Sequence, residues 1–473
     1  MSAPPLDPVR ASLDRALHAL AALGPEPAAH ANRIGAVLWS PPRIVIVGRL
    51  KAGKSTLVNA LVGAPVAETA ALEATSVVSV YQDGAPARVE AVLRDGSRRP
   101  VETTHGQVGA LPVPADEIAY LHRWLPSAAI RDHTLVDTPG LATLTAENEA
   151  RTRRVLIDGF EQTRTASVDA DAAVFLFDST PRADEVAFLR QLGFTPLTTL
   201  GVLSRADGFG EGALGDRDPL AHAAEHATVL ADRLRGTVMT VLPVAGLLAE
   251  TSHTGALTET DARALAALAS IPPLDLIDLL DSDPGSDDAQ AQARGRLLDL
   301  LGEYGVVHGR TVAAGGAAAL NDWLVAKSGV PQLRSVLARH LGAFAAVQRA
   351  GRIVRELDRL AYTHPARDRI RGIVDGLRSD PALREVVLFE HLGAMLEADP
   401  DSPVTDELRR LIEQPTAAGR FGLPADATAE AVRAQAQARL DWAHGQKLST
   451  LTAAEDAALV VLIDTYGRYA RGV

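Results

Sequence analysis

The sequence has 473 residues, a formal net charge of −12, 47% hydrophobic residues and no cysteine. This length predicts two or three structural units rather than a single core. The negative charge argues against a nucleic-acid partner, which requires a basic surface, and the lack of cysteine excludes disulfides and thiolate metal sites.

The first predicted element is a helix over residues 5–37 that is interrupted near Gly24 and Pro25. Its apolar stripe consists of Leu6, Val9, Leu13, Leu17, Leu20 and Leu23. The N-terminus lacks the basic and continuous apolar segments of a signal peptide, and no run approaches the ~18 apolar residues that span a bilayer. We therefore expect a cytoplasmic protein whose membrane contact, where present, is peripheral and on the inner face of the plasma membrane.

From residue 40 to about 275, short apolar runs alternate with helical lengths of chain, which predicts an α/β domain. The predicted strands lie at residues 43–47, 76–81, 87–93, 134–136, 172–177, 199–203 and 238–242. The second and third are separated by QDGAP and are predicted to pair as an antiparallel hairpin. The longer separations predict parallel crossovers, so we expect a mixed, mostly parallel sheet with helices on both faces.

The pattern G-x-x-x-x-G-K-[ST] lies between the first predicted strand and a helix. This position between a strand and a helix is the context that confirms a P-loop. The predicted nucleotide-binding residues of this loop are Gly48, Ala52, Gly53, Lys54, Ser55 and Thr56. In such a loop backbone N–H groups surround the phosphates, Lys54 reaches their oxygens and the Ser55 hydroxyl binds Mg²⁺. The chain has four lysines, two of which, Lys51 and Lys54, lie here, which makes a chance match improbable.

Two further motifs follow later strands. Asp137 and Gly140 belong to a DTPG sequence, whose position fits an acid that holds Mg²⁺ and a glycine N–H that meets the γ-phosphate, although DTPG is also a common turn. Ser204, Arg205 and Asp207 belong to an SRAD sequence in the position of a guanine motif. The Asp207 carboxylate would accept hydrogen bonds from the guanine N1 and N2 donors, which adenine does not offer as a pair, and the Arg205 stem would lie along the base.

One competing motif lies on the helix after the guanine motif. His222, Glu225 and His226 match the zinc-binding pattern H-x-x-E-H. Because the match falls inside a nucleotide-binding unit, we favour a structural or exposed histidine pair over a zinc site. The next strand ends at Ala245 and Gly246, where a turn of small residues would present backbone N–H groups to the guanine carbonyl, unless it is simply a strand end.

After residue 273 the pattern changes to long helical segments. The acidic run at 281–288 is predicted to be a linker. One predicted helix begins near Pro331. Four others are predicted at 366–396, 405–413, 428–444 and 453–469. Between residues 334 and 380 there are ten arginines and five acids, a net charge of +5 that suits anionic lipid, an acidic partner or a solvated, salt-bridged face. The predicted domains are 1–39 (N-terminal helix), 40–275 (α/β domain), 276–330 (helical connection) and 331–473 (C-terminal bundle).

The four motifs, in this order and spacing, resemble those of translation-factor-related GTPases. The segments GRLKAGKSTLVNALVG, ETAALEATSVVSVY, DTPG, LSRADGFG and LPVAGLLAE resemble bacterial dynamin-like proteins, especially the isoniazid-inducible actinobacterial group. The resemblance covers roughly residues 40–250 and, more loosely, 328–341 and 421–436. It implies a GTPase that binds GTP/GDP and Mg²⁺, whose hydrolysis is coupled to G-domain dimerisation or oligomerisation and to movement of a helical stalk formed by the N- and C-terminal helices.

The resemblance also implies roles for single residues. Thr75 takes the position of the switch threonine that closes on Mg²⁺ and places the attacking water, although EATSVV here replaces the usual Pro-Thr-Thr. Lys51 stands where dynamins use a serine with a bound cation and guanylate-binding proteins an arginine finger. Lys51 would supply that charge in cis, and the alternative is a solvated loop lysine. The predicted catalytic residues are Lys51, Lys54 and Thr75, and the predicted metal ligands are Ser55, Thr75 and Asp137.

Two other interpretations stay open. A regulatory GTP switch would bind a protein partner without remodelling membranes, and a P-loop ATPase would bind ATP instead of GTP. Family members that insert into membranes carry an apolar paddle, whereas the apolar segments VVLFEHLGAML and AALVVLID have the spacing of core helices. The family's paired, unequal subunits suggest that a longer partner of the same family supplies the membrane contact.

Overall fold

The structure is a computed structural model and describes residues 8–49, 51–67, 77–104, 107–138, 170–272, 275–276, 279, 289–414 and 416–472. The chain divides into two units. Residues 41–345 form the sheet unit, and residues 1–40 with 346–473 form the helical unit. Thr75, Gly140 and the linker at 281–288 lie outside the described residues.

Eleven strands are described in the sheet unit: β1 (Arg43–Gly48), β2 (Ser79–Asp83), β3 (Arg88–Leu93), β4 (Arg98–Val101), β5 (Thr103–Thr104), β6 (Gln107–Val108), β7 (Ile118–Leu125), β8 (Thr134–Asp137), β9 (Ala172–Phe177), β10 (Thr199–Ser204) and β11 (Val241–Val244). Nine of them form one sheet in the order β11-β10-β9-β1-β8-β2-β7-β3-β4, and β5 pairs with β6. Strands β11, β10, β9, β1 and β8 run parallel, and so do β2 and β7. The predicted mixed, mostly parallel sheet is confirmed.

The predicted hairpin between the second and third strands is wrong. Strand β7 lies between them in the sheet and pairs parallel with β2 and antiparallel with β3. The other edge of β2 pairs with β8, so β2 has no edge left for β3. The sequence pattern misses β7 because its buried position 123 holds an arginine, whose guanidinium donates to the Val66 carbonyl at 2.6 Å.

The helices of the sheet unit are α3 (Lys54–Val62), α4 (Ala183–Gln191), α5 (Pro219–Arg233), α6 (Gly246–Thr254), α7 (Glu259–Ala267), α8 (Ala289–Gly309), α9 (Gly316–Lys327) and α10 (Val330–Val336). A wider helical turn at Leu337–Leu341 leads into α11 (Gly342–Thr363), within which the boundary between the units falls. This boundary differs from the predicted ones at 275 and 330. Val330, Leu333 and Leu337 are buried in the same core as Ile44 and Leu57, so this segment belongs to the sheet unit by packing.

The helical unit contains α1 (Pro8–Ala21), α2 (Pro25–Trp39), α12 (Arg367–Ser379), α13 (Arg384–Ala398), α14 (Pro403–Glu413), α15 (Ala417–Arg420), α16 (Ala429–Gln446) and α17 (Ala453–Arg471), with most of α11. Leu13 and Ile34 of the N-terminal helices share one core with Leu357 and Ile370. This confirms the predicted bundle of N- and C-terminal helices. The single helix predicted over 366–396 is two helices, because the chain turns at Asp380, whose carboxylate accepts from the Ala382 N–H.

Within the described residues, no helix is both long enough and apolar enough to cross a bilayer.

Arg349 connects α11 to the end of α2. It is 3% exposed, and its Nη1 donates to the carbonyls of Val37, at 2.9 Å, and Ser40. The last carbonyls of a helix have no partner within the helix, and a cation near them is favourable. Arg349 therefore satisfies the C-terminal end of α2 inside the helical unit.

We expect Arg349→Met to lower the free energy of unfolding by about 2 kcal/mol, because it removes the charged donor from two carbonyl groups at the end of α2. The measurement is urea denaturation followed by circular dichroism. Arg359→Met, at an exposed position of the same helix, is the matched control and should stay within about 0.5 kcal/mol of the wild type. Equal stability of the two variants would contradict this role of Arg349.

Candidate functional site

The predicted motifs meet at one edge of the sheet. Strands β1, β8, β10 and β11 are all members of its parallel part, so their carboxyl ends face the same side. The P-loop follows β1, Asp137 ends β8, the SRAD motif follows β10, and Ala245 follows β11. The sheet therefore brings together four segments that are far apart in sequence, in the crevice where α/β sheets bind ligands.

Two glycines of the P-loop are fixed by geometry. A Cβ on Gly48 would lie 2.5 Å from the carbonyl oxygen of Leu176 on β9, so a side chain there would force the central strands apart. Gly53 precedes α3 with a φ of 90°, in the left-handed region that favours glycine. These two constraints shape the turn that leads from β1 into the N-terminus of α3.

Lys54 is the first residue of α3 and is only 7% exposed. Its Nζ donates to the carbonyls of Gly48, at 3.1 Å, and Arg49, at 2.8 Å. Burial lowers the pKa of Lys54 to about 8, and the charge of Asp137 offsets part of that effect. The ammonium group thus lies within the loop beside a helix N-terminus, which is the arrangement that binds phosphate groups.

Asp137 faces this ammonium group from the end of β8. Burial raises the pKa of its carboxyl to about 6, opposed by the charges of Lys54 and Arg123 and by a hydrogen bond from Ser55. Its Oδ1 is buried and has no hydrogen-bond partner among the residues that the structure describes. A buried oxygen without a partner calls for an explanation, and a site for a metal ion is one. Oxygen donors from a carboxylate and a hydroxyl suit Mg²⁺, so Asp137 and Ser55 fit the predicted metal.

The guanine motif touches the P-loop directly. Arg205 has a φ of 55° and Lys51 a φ of 64°, both in the left-handed region. Arg205 Nη2 donates to the Lys51 carbonyl at 2.9 Å, and Ser204 Oγ donates to the Phe177 carbonyl at 3.2 Å. Both side chains of this motif therefore bond to backbone, and the predicted base-binding and phosphate-binding segments are joined.

Asp207 lies two residues further on, in a short 3₁₀ turn (Ala206–Gly208). Burial raises the pKa of its carboxyl, while hydrogen bonding to its own backbone N–H and the charge of Arg205 act against the rise. A partly desolvated carboxylate with a raised pKa is typical of ligand-binding positions. Asp207 thus has the environment expected of a residue that accepts hydrogen bonds from a base.

The turn after β11 is arranged differently from the prediction. The Ala245 N–H donates to the Ser328 carbonyl at 3.0 Å, so this backbone donor is engaged inside the protein. Gly246 is the first residue of α6, a position whose N–H has no partner within a helix. A Cβ on Gly246 would lie 3.4 Å from Thr56 Cγ2. The turn therefore packs against the P-loop helix, with Gly246 as its better placed donor.

The sequence interpretation missed an ion pair at the second P-loop position. Arg49 Nε lies 2.6 Å from Glu185 Oε1, and the Glu185 side chain is 6% exposed. Both residues line a small cavity with Phe177, Asp178, Ser179 and Thr180, as does Ala52. The sequence feature that pointed to this pair was an arginine inside the P-loop pattern. Its partner lies 136 residues away, too far along the chain for a local sequence pattern to identify it.

The H-x-x-E-H residues have other contacts. The ring centroids of His222 and His226 lie 4.9 and 5.1 Å from the ring centroid of Phe209. Glu225 accepts from Arg217 Nη2 at 2.7 Å. No group of three or more potential ligands that would hold a metal occurs among the described residues. The two histidines therefore serve as packing partners for Phe209.

Similar proteins of known family were found for this chain. The family model described as 50S ribosome-binding GTPase matches residues 43–197. The isoniazid-induced protein IniC of Mycobacterium tuberculosis, in strains CDC 1551 and H37Rv, is 35% identical in an alignment of length 444 that covers 87% of this chain and 86% of the relative. Two solved structures described as an oligomerised bacterial dynamin pair share 13% and 12% identity, with TM-scores of 0.31 and 0.30. They cover 100% and 94% of this chain and 81% and 70% of theirs.

Proposed function

The chain belongs to the bacterial dynamin-like GTPase family, in its isoniazid-induced group, and from this premise we propose that it hydrolyses GTP with Mg²⁺ and couples hydrolysis to association of its GTPase domains. One observation carries the proposal. The Lys54 ammonium, the unpartnered Asp137 oxygen and the half-buried Asp207 carboxylate lie at the same edge of the sheet.

Lys54 and the N-terminus of α3 form the phosphate-binding part of the site. The carbonyls that now accept from Nζ are weaker partners than phosphate oxygens, because an anionic oxygen attracts the ammonium group more strongly than a neutral carbonyl oxygen does. Ser55 and Asp137 would hold Mg²⁺, together with Thr75, and the metal would neutralise charge on the β- and γ-phosphates. Asp137 also keeps Lys54 protonated through its own charge.

Asp207 and Arg205 form the base-binding part of the site. An ionised Asp207 accepts two hydrogen bonds from guanine N1 and N2, whereas adenine presents an acceptor at N1 and has no 2-amino group. Arg205 is anchored at Lys51 by its guanidinium, which leaves its aliphatic stem to cover the base. Gly246 would donate its N–H to the guanine carbonyl. GTP and GDP are therefore the proposed ligands, in preference to ATP.

Lys51 is the proposed source of positive charge for catalysis. Its backbone is fixed by the bond from Arg205, while its side chain is exposed at the P-loop. A cation at this position would stabilise the charge that develops between the β- and γ-phosphates in the transition state. The Lys51 main chain is thus held in place, and its ammonium group can reach the transferred phosphoryl group.

The turn between α16 and α17 is the proposed membrane contact. Leu448 and Leu451 are 91% and 92% exposed, the highest values among the large apolar side chains that the structure describes. Two exposed leucines three residues apart on one turn are what a lipid surface would cover. The basic stretch at 334–380 offers less positive charge to a lipid surface, because Arg334 and Arg349 bond to backbone carbonyls and Arg378 pairs with Asp358.

A regulatory GTP switch is the second candidate function. The bonds of Arg334 and Arg349 to backbone carbonyls and the surface ion pair of Arg378 with Asp358 favour it, since these three side chains offer less charge to a lipid surface. Such a switch would hydrolyse GTP slowly at any protein concentration and would act through a protein partner. A partner subunit of the same family stays a prediction under either function.

GTP turnover per molecule should rise with protein concentration, because association of GTPase domains completes the site. Lys51→Ala should lower this stimulated rate about a hundredfold, as loss of a catalytic cation does, and should change the GTP dissociation constant by less than about threefold. Lys327→Ala, at the end of α9, is the matched control and should behave as the wild type.

Phosphate release measured over a range of protein concentrations tests these expectations. A flat specific activity would favour the regulatory switch. A stimulated rate that survives in Lys51→Ala would show that Lys51 is a solvated loop residue.

The double variant Leu448→Ser, Leu451→Ser should weaken binding to anionic vesicles by about tenfold or more, since burying one leucine contributes about 1.5–3 kcal/mol. Sedimentation with vesicles of phosphatidylglycerol, with and without GTP, is the measurement. Val229→Ser, at an exposed apolar position of the sheet unit, is the control and should bind as the wild type. Unchanged sedimentation of the double variant would rule out this turn as the membrane contact.

A further inference from the structure

Helix α8 loses its helical conformation at Gly302, where φ is 61° and ψ is −179°. This backbone conformation is almost confined to glycine. A Cβ on Gly302 would lie 3.8 Å from Asp207 Oδ2 and 3.4 Å from Leu247 Cδ2. The break therefore brings the backbone of α8 against the carboxylate that is proposed to recognise guanine.

The break is supported on its N-terminal side by Thr251 of α6. In an unbroken helix the Leu300 carbonyl would accept from the N–H four residues later, and a break at Gly302 interrupts that ladder. The Thr251 hydroxyl donates to the Leu300 carbonyl instead. Thr251 is 2% exposed, so water does not compete for the bond. A side chain on α6, the helix that begins at the proposed guanine-carbonyl donor, thus holds the break in place.

Tyr304 holds α8 on the other side of the break. Burial raises the pKa of its hydroxyl, and so do the charge of Asp218, a hydrogen bond to Asp218 and the charge of Asp207. Asp218 is the N-cap of α5, the helix after the guanine motif. Tyr304 therefore ties α8 to the segment that carries Asp207.

The apolar residues of α8 continue this attachment. Leu297 and Leu301 share a buried core with Ala245 and Leu248, at the turn after β11 and the start of α6. Helix α8 is thus fastened to the elements on two sides of the proposed base site. Its position relative to Asp207 is set by these contacts rather than by the acidic segment that precedes it.

We infer that the break at Gly302, held by the Thr251 hydroxyl, positions the Asp207 carboxylate for guanine. The α8 backbone lies against one side of the carboxylate, where a Cβ on Gly302 would come 3.8 Å from Oδ2, and it thereby limits the orientations that the carboxylate can take. Gly302 and Thr251 are positioning residues that act through Asp207. This inference rests on the proposed function, in which Asp207 binds guanine N1 and N2.

The consequence is measurable in the preference for the 2-amino group. GDP and IDP differ only in that group, so their affinity ratio reports one hydrogen bond to Asp207. We expect the wild type to prefer GDP by about tenfold or more, the value of a hydrogen bond to a charged acceptor. In Gly302→Ala and in Thr251→Val the preference should fall to about threefold or less, because a displaced carboxylate no longer meets the 2-amino group at hydrogen-bond distance and angle.

Isothermal titration of the full chain with GDP and IDP is the experiment. Thr251→Ser keeps the hydroxyl and should keep the wild-type ratio. Gly295→Ala lies on the same helix, where an added Cβ meets nothing within 4 Å, and should also keep it. Melting temperatures identify a variant that does not fold, in which case the two Thr251 variants decide the outcome.

An unchanged ratio in Thr251→Val, with equal losses for GDP and IDP, would show that α8 only supports the fold and would overturn the inference. Absence of any GDP preference in the wild type would overturn guanine recognition itself, and the inference with it. The two failures are distinguishable, because the first leaves the wild-type preference intact and the second removes it.

Discussion

The close approach of β1 and β9 at Gly48 is the constraint on which the site depends. Gly48 pairs with Leu176 in the parallel register of these strands, and a Cβ there would lie 2.5 Å from the Leu176 carbonyl. Only glycine allows the central strand to end in this register. From that residue the chain turns into α3, and Lys54 reaches back to the carbonyls of Gly48 and Arg49. The phosphate-binding loop is therefore built outward from the last residue of β1.

Backbone strain is concentrated where the two halves of the site meet. Lys51 and Arg205 are the non-glycine residues with positive φ in the described part of the chain, and such conformations cost about 1–3 kcal/mol each. They are joined by the bond from Arg205 Nη2 to the Lys51 carbonyl. Strain that persists at two contacting residues of a site indicates that the surrounding fold imposes it. The proposed base-binding segment and the phosphate-binding loop thus hold each other in their shared geometry.

Local patterns predicted the parts of the fold that local forces determine. The P-loop, Asp137 and the SRAD motif all follow short apolar strands, and the structure places them at one sheet edge as the parallel connections require. Strand β7 was missed because Arg123 is buried in it by a hydrogen bond to a distant carbonyl. The Arg49–Glu185 pair and the bond from Ala245 to Ser328 were missed for the same reason, since their partners are distant in sequence.

Recognition of guanine by Asp207 is the central claim, and the substitution Asp207→Asn tests it most directly. An asparagine keeps one oxygen that accepts from the N1 donor, but its NH2 group donates where the second carboxylate oxygen accepted. It therefore matches the 2-carbonyl of xanthine and opposes the 2-amino donor of guanine. We expect GTP to bind to Asp207→Asn about tenfold or more weakly than to the wild type, and XTP to bind more tightly. Unchanged GTP affinity in this variant, with no gain for XTP, would contradict the account.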